Sequence, residues 1–216
     1  MTKRKDISLL EEVPTGERRV LLHACCAPCS GAILEAMVRG SLEPVLFFSN
    51  ANIVPRAEYD KRLGELLRYA RELGVPVVED AYDHACWRST AAEGLEHEPE
   101  RGRRCEACFR FRLDRAAAYA HEHGFHVLTT TLASSRWKDL EQVDRAGEAA
   151  CAPYPDLHWW PRNCRKGGLQ ERRNEIIREQ AFYNQRYCGC EFSMAQAVSQ
   201  REGSSEAGSF DPELLR

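Results

Sequence analysis

Apolar and polar positions follow two rhythms along the chain. The runs RVLLHA (19–24), PVLFFSN (44–50), VPVVED (75–80) and HVLTTTL (126–132) are short and nearly continuous in apolar residues, with LHWW (157–160) a weaker fifth. That is the pattern of strands covered on both faces. Between them the period changes. In EYDKRLGELLRYARELG (58–74), Leu63, Leu66, Leu67, Ala70 and Leu73 recur along one helical face, and Gly74 marks the stop. Further helices are expected to begin near Pro28, Cys105, Asp139 and Leu169. Strands alternating with helices predict an α/β fold: an open, mostly parallel sheet with right-handed crossovers, helices on both faces and a helical C-terminal part. No internal repeat interrupts this order. Residues 1–17 read as an N-terminal extension, 18–200 as one α/β domain and 201–216 as a flexible tail, with 81–104 a mobile flap or a short helical insertion.

In such a sheet, ligands bind beyond the carboxyl ends of the strands, near the switch in strand order. The loops leaving three of the expected strands there are CCAPCSG, SNANIVPRAEY and TTLASSRWK. They are rich in Cys, Asn, Ser and Thr rather than in residues that merely close turns.

Composition narrows the chemistry. The chain has 216 residues, 43% of them hydrophobic, enough for a real core. No stretch reaches the ~18 consecutive apolar residues of a membrane span, and the charged start MTKRKDISLLEEVPTGER lacks the features of a signal peptide. A cytoplasmic setting, with no membrane partner, is expected. There the ten cysteines are not a disulfide scaffold. Seven form clusters: Cys25, Cys26 and Cys29; Cys105 and Cys108; Cys188 and Cys190. Cys86, Cys151 and Cys164 stand alone and are read as small apolar residues.

The net charge of −3 gives no global sign of nucleic acid, but the charge is uneven. Residues 101–115 hold six arginines, and residues 162–178 hold six Arg and Lys. A single such run is ordinarily a solvated face; two that adjoin cysteine clusters suggest an anion-binding surface.

Pro28 and Gly40 bracket a helix, so Cys25 and Cys26 fall just before its N-terminus and Cys29 in its first turn. Free N–H groups and the helix dipole favour thiolates at that end. The second helix opens with Cys105 and Cys108 on one face of its first turn. Two helix N-termini, each with a thiol pair, point to a four-sulfur metal site in preference to buried structural cysteines, one that suits either closed zinc or an iron–sulfur cluster. Cys188-Gly189-Cys190 reads as a strained, reducible couple, a further ligand pair or two inert thiols. His23 is a hydrogen-bond donor to the site or a strand-end histidine satisfied by backbone. Trp159 and Trp160 offer a stacking surface for bases, with core or edge packing the plainer reading.

Taken together, LLHACCAPCS, NANIVPRAEYDKR, CEACFRFRL, TTLASSRWK and FYNQRYCGCEFS, in this order from about residue 19 to residue 193, resemble the QueH family of epoxyqueuosine reductases. The resemblance implies a PP-loop/HUP-like, Rossmann-type topology. It also implies the last step of queuosine synthesis: removal of the epoxide oxygen of epoxyqueuosine at the tRNA wobble position. By matching position it implies Cys25, Cys26, Cys105 and Cys108 as ligands of a [4Fe–4S] cluster, Cys29 as a candidate ligand of an additional mononuclear iron, and Cys188 and Cys190 as a redox-active disulfide. The implied partners are tRNA carrying epoxyqueuosine and a reductant or electron-donor protein. The basic runs would track phosphates, with Asn50, Asn52 and Thr130 near the pocket mouth. One departure is Ser135, where the family pattern has Pro, which bears on the shape of that loop.

Two other functions fit parts of this pattern. An ATP-dependent PP-loop tRNA-modifying enzyme shares the topology, but needs a Ser-Gly-Gly-x-Asp-Ser phosphate loop where this chain has CCAPCSG. A zinc-stabilised RNA-binding module would use the cysteines without catalysis.

Overall fold

The computed structural model describes residues 13–203. Five parallel strands form one sheet: β1 (Arg19–His23), β2 (Glu43–Phe48), β3 (Val77–Glu79), β4 (Val127–Thr130) and β5 (His158–Trp159). Their order is β3-β2-β1-β4-β5. The chain builds outward from β1 in one direction and then reverses, so the switch point lies between β1 and β4. Leu22 pairs with Leu46 of β2 on one side and Thr129 of β4 on the other.

The helices are α1 (Ala27–Arg39), α2 (Arg56–Glu72), α3 (His84–Trp87), α4 (Arg103–Glu122), α5 (Leu140–Cys151), α6 (Leu169–Glu179) and α7 (Glu191–Gly203). Period-two alternation divides the core between them. Val20, Leu22, Leu46 and Phe48 meet Leu34 and Met37 of α1, Tyr59 and Leu66 of α2 and Ile176 of α6. Leu21, Phe47 and Leu128 point the other way, onto Phe109, Leu113 and Ala117 of α4 and Val143 and Ala146 of α5. Both sheet faces are covered, as the continuous apolar runs require.

The expected strands run one to three residues longer than those formed. Segment 81–104 is the helical insertion of the two readings: α3 continues into a π-helical turn at Arg88–Ala92. The expected tail begins inside a helix, since α7 extends to Gly203; residues 204–216 lie outside the described residues. Of the expected N-terminal extension, residues 1–12 also lie outside them, and Val13 is buried in the α1 side of the core. Among the described residues no helix is long and apolar enough to cross a membrane.

Candidate active site

The first sulfurs arrive where β1 hands the chain to α1. Cys26 is the N-cap in extended conformation (φ −177°, ψ 163°), and Pro28 in the first turn lacks an N–H that would otherwise need a partner. This geometry gathers the sulfurs of Cys25, Cys26 and Cys29 within 4.8 Å of one another. The residue after β4, which opens a 3-10 turn over Thr131–Ser134, closes the group from across the switch point. Cys25 N–H donates to Thr131 Oγ1 at 3.1 Å, and the same hydroxyl donates to Cys25 Sγ at 3.5 Å. The thiols of Cys26 and Cys29 donate toward Cys25 and hold it well below the ordinary thiol range against the cost of burial, with Lys138 and Arg112 assisting. Cys26 and Cys29 are pushed up in turn, Cys29 to about 11, because their protons stabilise that shared charge.

The second pair comes from α4. Cys105 packs against the cluster that contains Cys25, Cys26 and Cys29, while Cys108, one turn on, sits in an adjoining apolar pocket with Trp87 and Cys190. Arg101 N–H donates to Cys105 Sγ at 3.3 Å. Burial pushes Cys105 up to about 11 and Cys108 up to about 12.

The third pair is fixed between α6 and α7. Arg62, 2% exposed and paired with Glu58 at 2.7 Å, donates to Cys188 O at 2.8 Å and Tyr187 O at 3.1 Å. Gly189 adopts φ +142°, a conformation open to glycine, and its carbonyl accepts from Val54 N–H at 2.9 Å. An added Cβ would lie 3.1 Å from Asn52 Nδ2 and 3.3 Å from Arg62 Nη1. Cys188 is exposed and Cys190 half-buried; both are free thiols, as are all ten cysteines. Lys138 Nζ donates to Cys188 Sγ at 3.6 Å. Although burial opposes its charge, Cys188, Cys25 and Cys29 hold the Lys138 ammonium above the usual lysine range.

These elements surround one cavity of about 530 Å³, whose wall includes Cys25, Cys29, Cys105 and Cys188. Its lining carries Arg62, Arg101, Arg112, Lys138, Arg173 and Arg186 against a single acid, Glu100. Among the described residues Cys25, Cys26 and Cys29 alone form a sulfur-only group close enough to share a metal, and Cys105 and Cys108 lie outside that group. This buried set in an electropositive setting fits a thiophilic metal or an iron–sulfur cluster, whose thiolate ligands bring net negative charge.

Other expected residues divide sharply. Asn50 and Asn52 are both 2% exposed and line the cavity. Asn50 is used internally, donating to Ala24 O at 2.8 Å and accepting from Arg112. Asn52 Oδ1 has no partner. Thr130 is buried and absent from the cavity lining; its hydroxyl meets His23 Nδ1 at 2.7 Å and accepts from Leu132 N–H. His23 is fully buried, its Nε2 3.2 Å from Ser49 O, and burial, aided by Arg112, drops its pKa to about 3, so it is a neutral structural residue. Trp160 is 3% exposed and Trp159 packs on α5, both as packing residues. Cys151 and Cys164 are buried, but Cys86 is exposed on α3, contrary to expectation.

Most of the basic runs are consumed by the fold. Arg104 gathers the carbonyls of Leu95, Glu96 and Glu98; Arg112 serves Ser49 and Asn50; Arg115 pairs with Asp80; and Arg172 bridges Glu35, Glu175 and Glu179. From the two runs only Arg101, Arg112 and Arg173 reach the cavity wall. Lys138, Trp137 and Arg62 escaped the sequence reading. The first two belong to a loop that leaves the carboxyl end of a strand, a signal that was present; nothing in the sequence links Arg62 to Cys188.

A family model described as "Epoxyqueuosine reductase QueH" matches residues 20–196. Relatives named epoxyqueuosine reductase QueH include one from Haemophilus influenzae, 44% identical over 191 residues that cover 88% of this chain and 78% of the relative. One from Acinetobacter baylyi is 43% identical, covering 85% and 84%, and one from Thermotoga maritima is 32% identical, covering 82% and 91%.

Proposed function

The chain belongs to the epoxyqueuosine reductase QueH family, whose members are oxidoreductases of queuosine biosynthesis, and from that premise we propose how its cavity performs the reduction. The substrate is epoxyqueuosine at the wobble position of tRNA, taken in the cytoplasm. The epoxide becomes an alkene by accepting two electrons and two protons, and its oxygen leaves as water. Cys25, Cys26, Cys105 and Cys108 hold a [4Fe–4S] cluster, and Cys29 an additional mononuclear iron. When bound, this centre supplies single electrons and a Lewis-acidic site for an oxygen ligand. The observation that carries the reading is the convergence of sulfurs from three distant segments, Cys25 and Cys29, Cys105, and Cys188, on one electropositive cavity.

The chain's own groups supply the rest. Asn52 Oδ1 is a buried acceptor without a partner, suited to a substrate hydroxyl or base N–H; leaving such an atom unpaired costs about 1–3 kcal/mol. Asn50, with both ends engaged, keeps the wall rigid, and Thr130 supports it through His23. Phe109, Ile53 and Pro28 contribute apolar wall that excludes bulk water. Lys138 Nζ donates to Cys188 Sγ at 3.6 Å and holds that sulfur at the cavity wall. Cys188 and Cys190, oxidised to a disulfide, release two electrons and two protons, and an external electron-donor protein or thiol reductant restores the dithiol.

The test is anaerobic conversion of epoxyqueuosine tRNA to queuosine tRNA with iron measured on the same sample. Brown, iron-containing wild type that turns over, with Cys25→Ser losing both iron and turnover, is the expected result. A colourless zinc protein that binds RNA without turnover would overturn the reading and favour the binding module.

A further inference from the structure

A large indole with much to gain from burial is left in water at the rim of this cavity. Trp137 is 66% exposed and lines the cavity mouth, whereas Trp87 and Trp160 are 0% and 3% exposed. Among the described residues the other exposed large hydrophobic side chains, Val38 on α1 and Leu67 on α2, do not line it. The exposure is not a consequence of a loose loop. Arg101 donates to Trp137 O at 3.0 Å and Arg136 O at 3.3 Å; Arg165 donates to Ser135 O and Lys138 O; and Trp137 N–H reaches Ser135 Oγ at 3.4 Å. Gln142 in turn fixes Arg101 through its carbonyl at 2.6 Å. The backbone on both sides of the indole is therefore pinned while the ring projects outward.

One face of the ring is already covered: the Arg136 guanidinium lies 4.8 Å from its centroid. A cation on one face polarises the π system and leaves the other face for a flat partner. We propose that Trp137 is a stacking platform for an unpaired nucleobase flanking the nucleoside that enters the cavity. The base would complete an arginine, indole, base stack. Arg101 and Arg173, on the same cavity wall, suit the phosphates of the adjoining backbone. Every base offers a π face, so the platform tolerates different neighbours while demanding a single-stranded loop. This inference rests on the RNA substrate proposed above and adds the residue that presents that RNA to the cavity.

Titration of the protein with an unmodified anticodon stem-loop, followed by intrinsic tryptophan fluorescence, tests it. The solvent-exposed ring should be quenched on binding. Trp137→Ala should weaken affinity by about tenfold, within the range of one lost base stack, and Trp137→Phe should retain most of the affinity while losing the quenching. Because the side chain is exposed, the unfolding midpoint of both variants should match wild type. Affinity for a blunt RNA duplex should not change in Trp137→Ala. Equal stem-loop affinity in wild type and Trp137→Ala, or an equal loss on the duplex, overturns the platform. Failure of wild type to bind the stem-loop at all overturns both the platform and the RNA reading, so the two failures are distinguishable.

Discussion

Ser49 shows how a single residue holds the strand end beneath the cavity. Its carbonyl accepts from Arg112 Nε at 3.0 Å and lies 3.2 Å from His23 Nε2, and its hydroxyl donates to Asp80 Oδ2 at 2.7 Å. Asp80 also receives Arg115 Nη2 at 2.6 Å and Ala81 N–H at 2.9 Å. Burial acts to raise the Asp80 pKa, but the hydrogen bonds from Arg115 and Ser49 prevail and hold it below the ordinary 3.8. A carboxylate whose folded pKa lies below its unfolded one stabilises the fold at every pH above the unfolded value. That contribution is lost as pH falls through the folded value. Asp80→Asn should therefore cost about 1–3 kcal/mol at neutral pH, and the difference from wild type should stay level down to about pH 5 and shrink below about pH 4. Urea unfolding of both proteins across that range measures it; a difference that grows on acidification would contradict the assignment. Little of this was legible beforehand. Asp80 ends an expected strand and Arg115 lies in a basic run, but a charge run does not reveal which of its members the fold will use.

At the scale of elements, the sequence speaks clearly where burial is two-sided and poorly where one residue sets a distance. The central strands were readable because both faces are covered: β1 is buried from Val20 to His23 and β4 throughout, around the apolar cores VLL and VL. α1 was readable to within a residue because Pro28 and Gly40 punctuate it. α7 was not, since EFSMAQAVSQREG has no apolar stripe to announce a helix. The packing of α5 on β5 was equally hidden. Gly147 sits in the middle of α5, where glycine ordinarily costs about 0.5–1 kcal/mol relative to alanine. Here a Cβ would fall 2.2 Å from Trp159 Cε2, and Trp159 is held by a 3.2 Å hydrogen bond from Nε1 to Asp144. Over-packing by one methyl costs about 1–3 kcal/mol, and this ring cannot yield without losing its partner. Gly147→Ala should lower the urea midpoint by an amount worth about 1–2 kcal/mol, net of the helix gain. A stabilised variant would mean that the indole moves freely. RNA affinity should be unchanged, because neither residue lines the cavity.

For the whole molecule, the question is how a chain with net charge −3 engages a polyanion. The two basic runs suggested a broad phosphate track, but a run read in one dimension counts ion pairs and free cations alike. In three dimensions Arg103 pairs with Glu98, Arg110 with Asp114, Arg115 with Asp80 and Arg172 with three glutamates, which removes much of that track from service. Arg104 and Arg112 are 4% and 2% exposed and bind backbone or Asn50. On the cavity wall the contact is local: Arg101 and Arg173 from the two runs are joined by Arg186, which lies outside them, beside the sulfurs and Trp137. Each phosphate neutralised contributes ~0.7 to the slope of log affinity against log salt for single strands, so three cavity arginines give a slope of about two. An anticodon stem-loop should then lose roughly 15-fold in affinity between about 50 and about 200 mM salt. Twelve engaged cations would give a slope of roughly eight and a loss of several powers of ten. Measuring that slope decides between a focused contact at the cavity mouth and a continuous track. A value near two, reduced further in Arg101→Ala, is what the ion pairing requires, and a steep slope would mean that these pairs open when RNA binds.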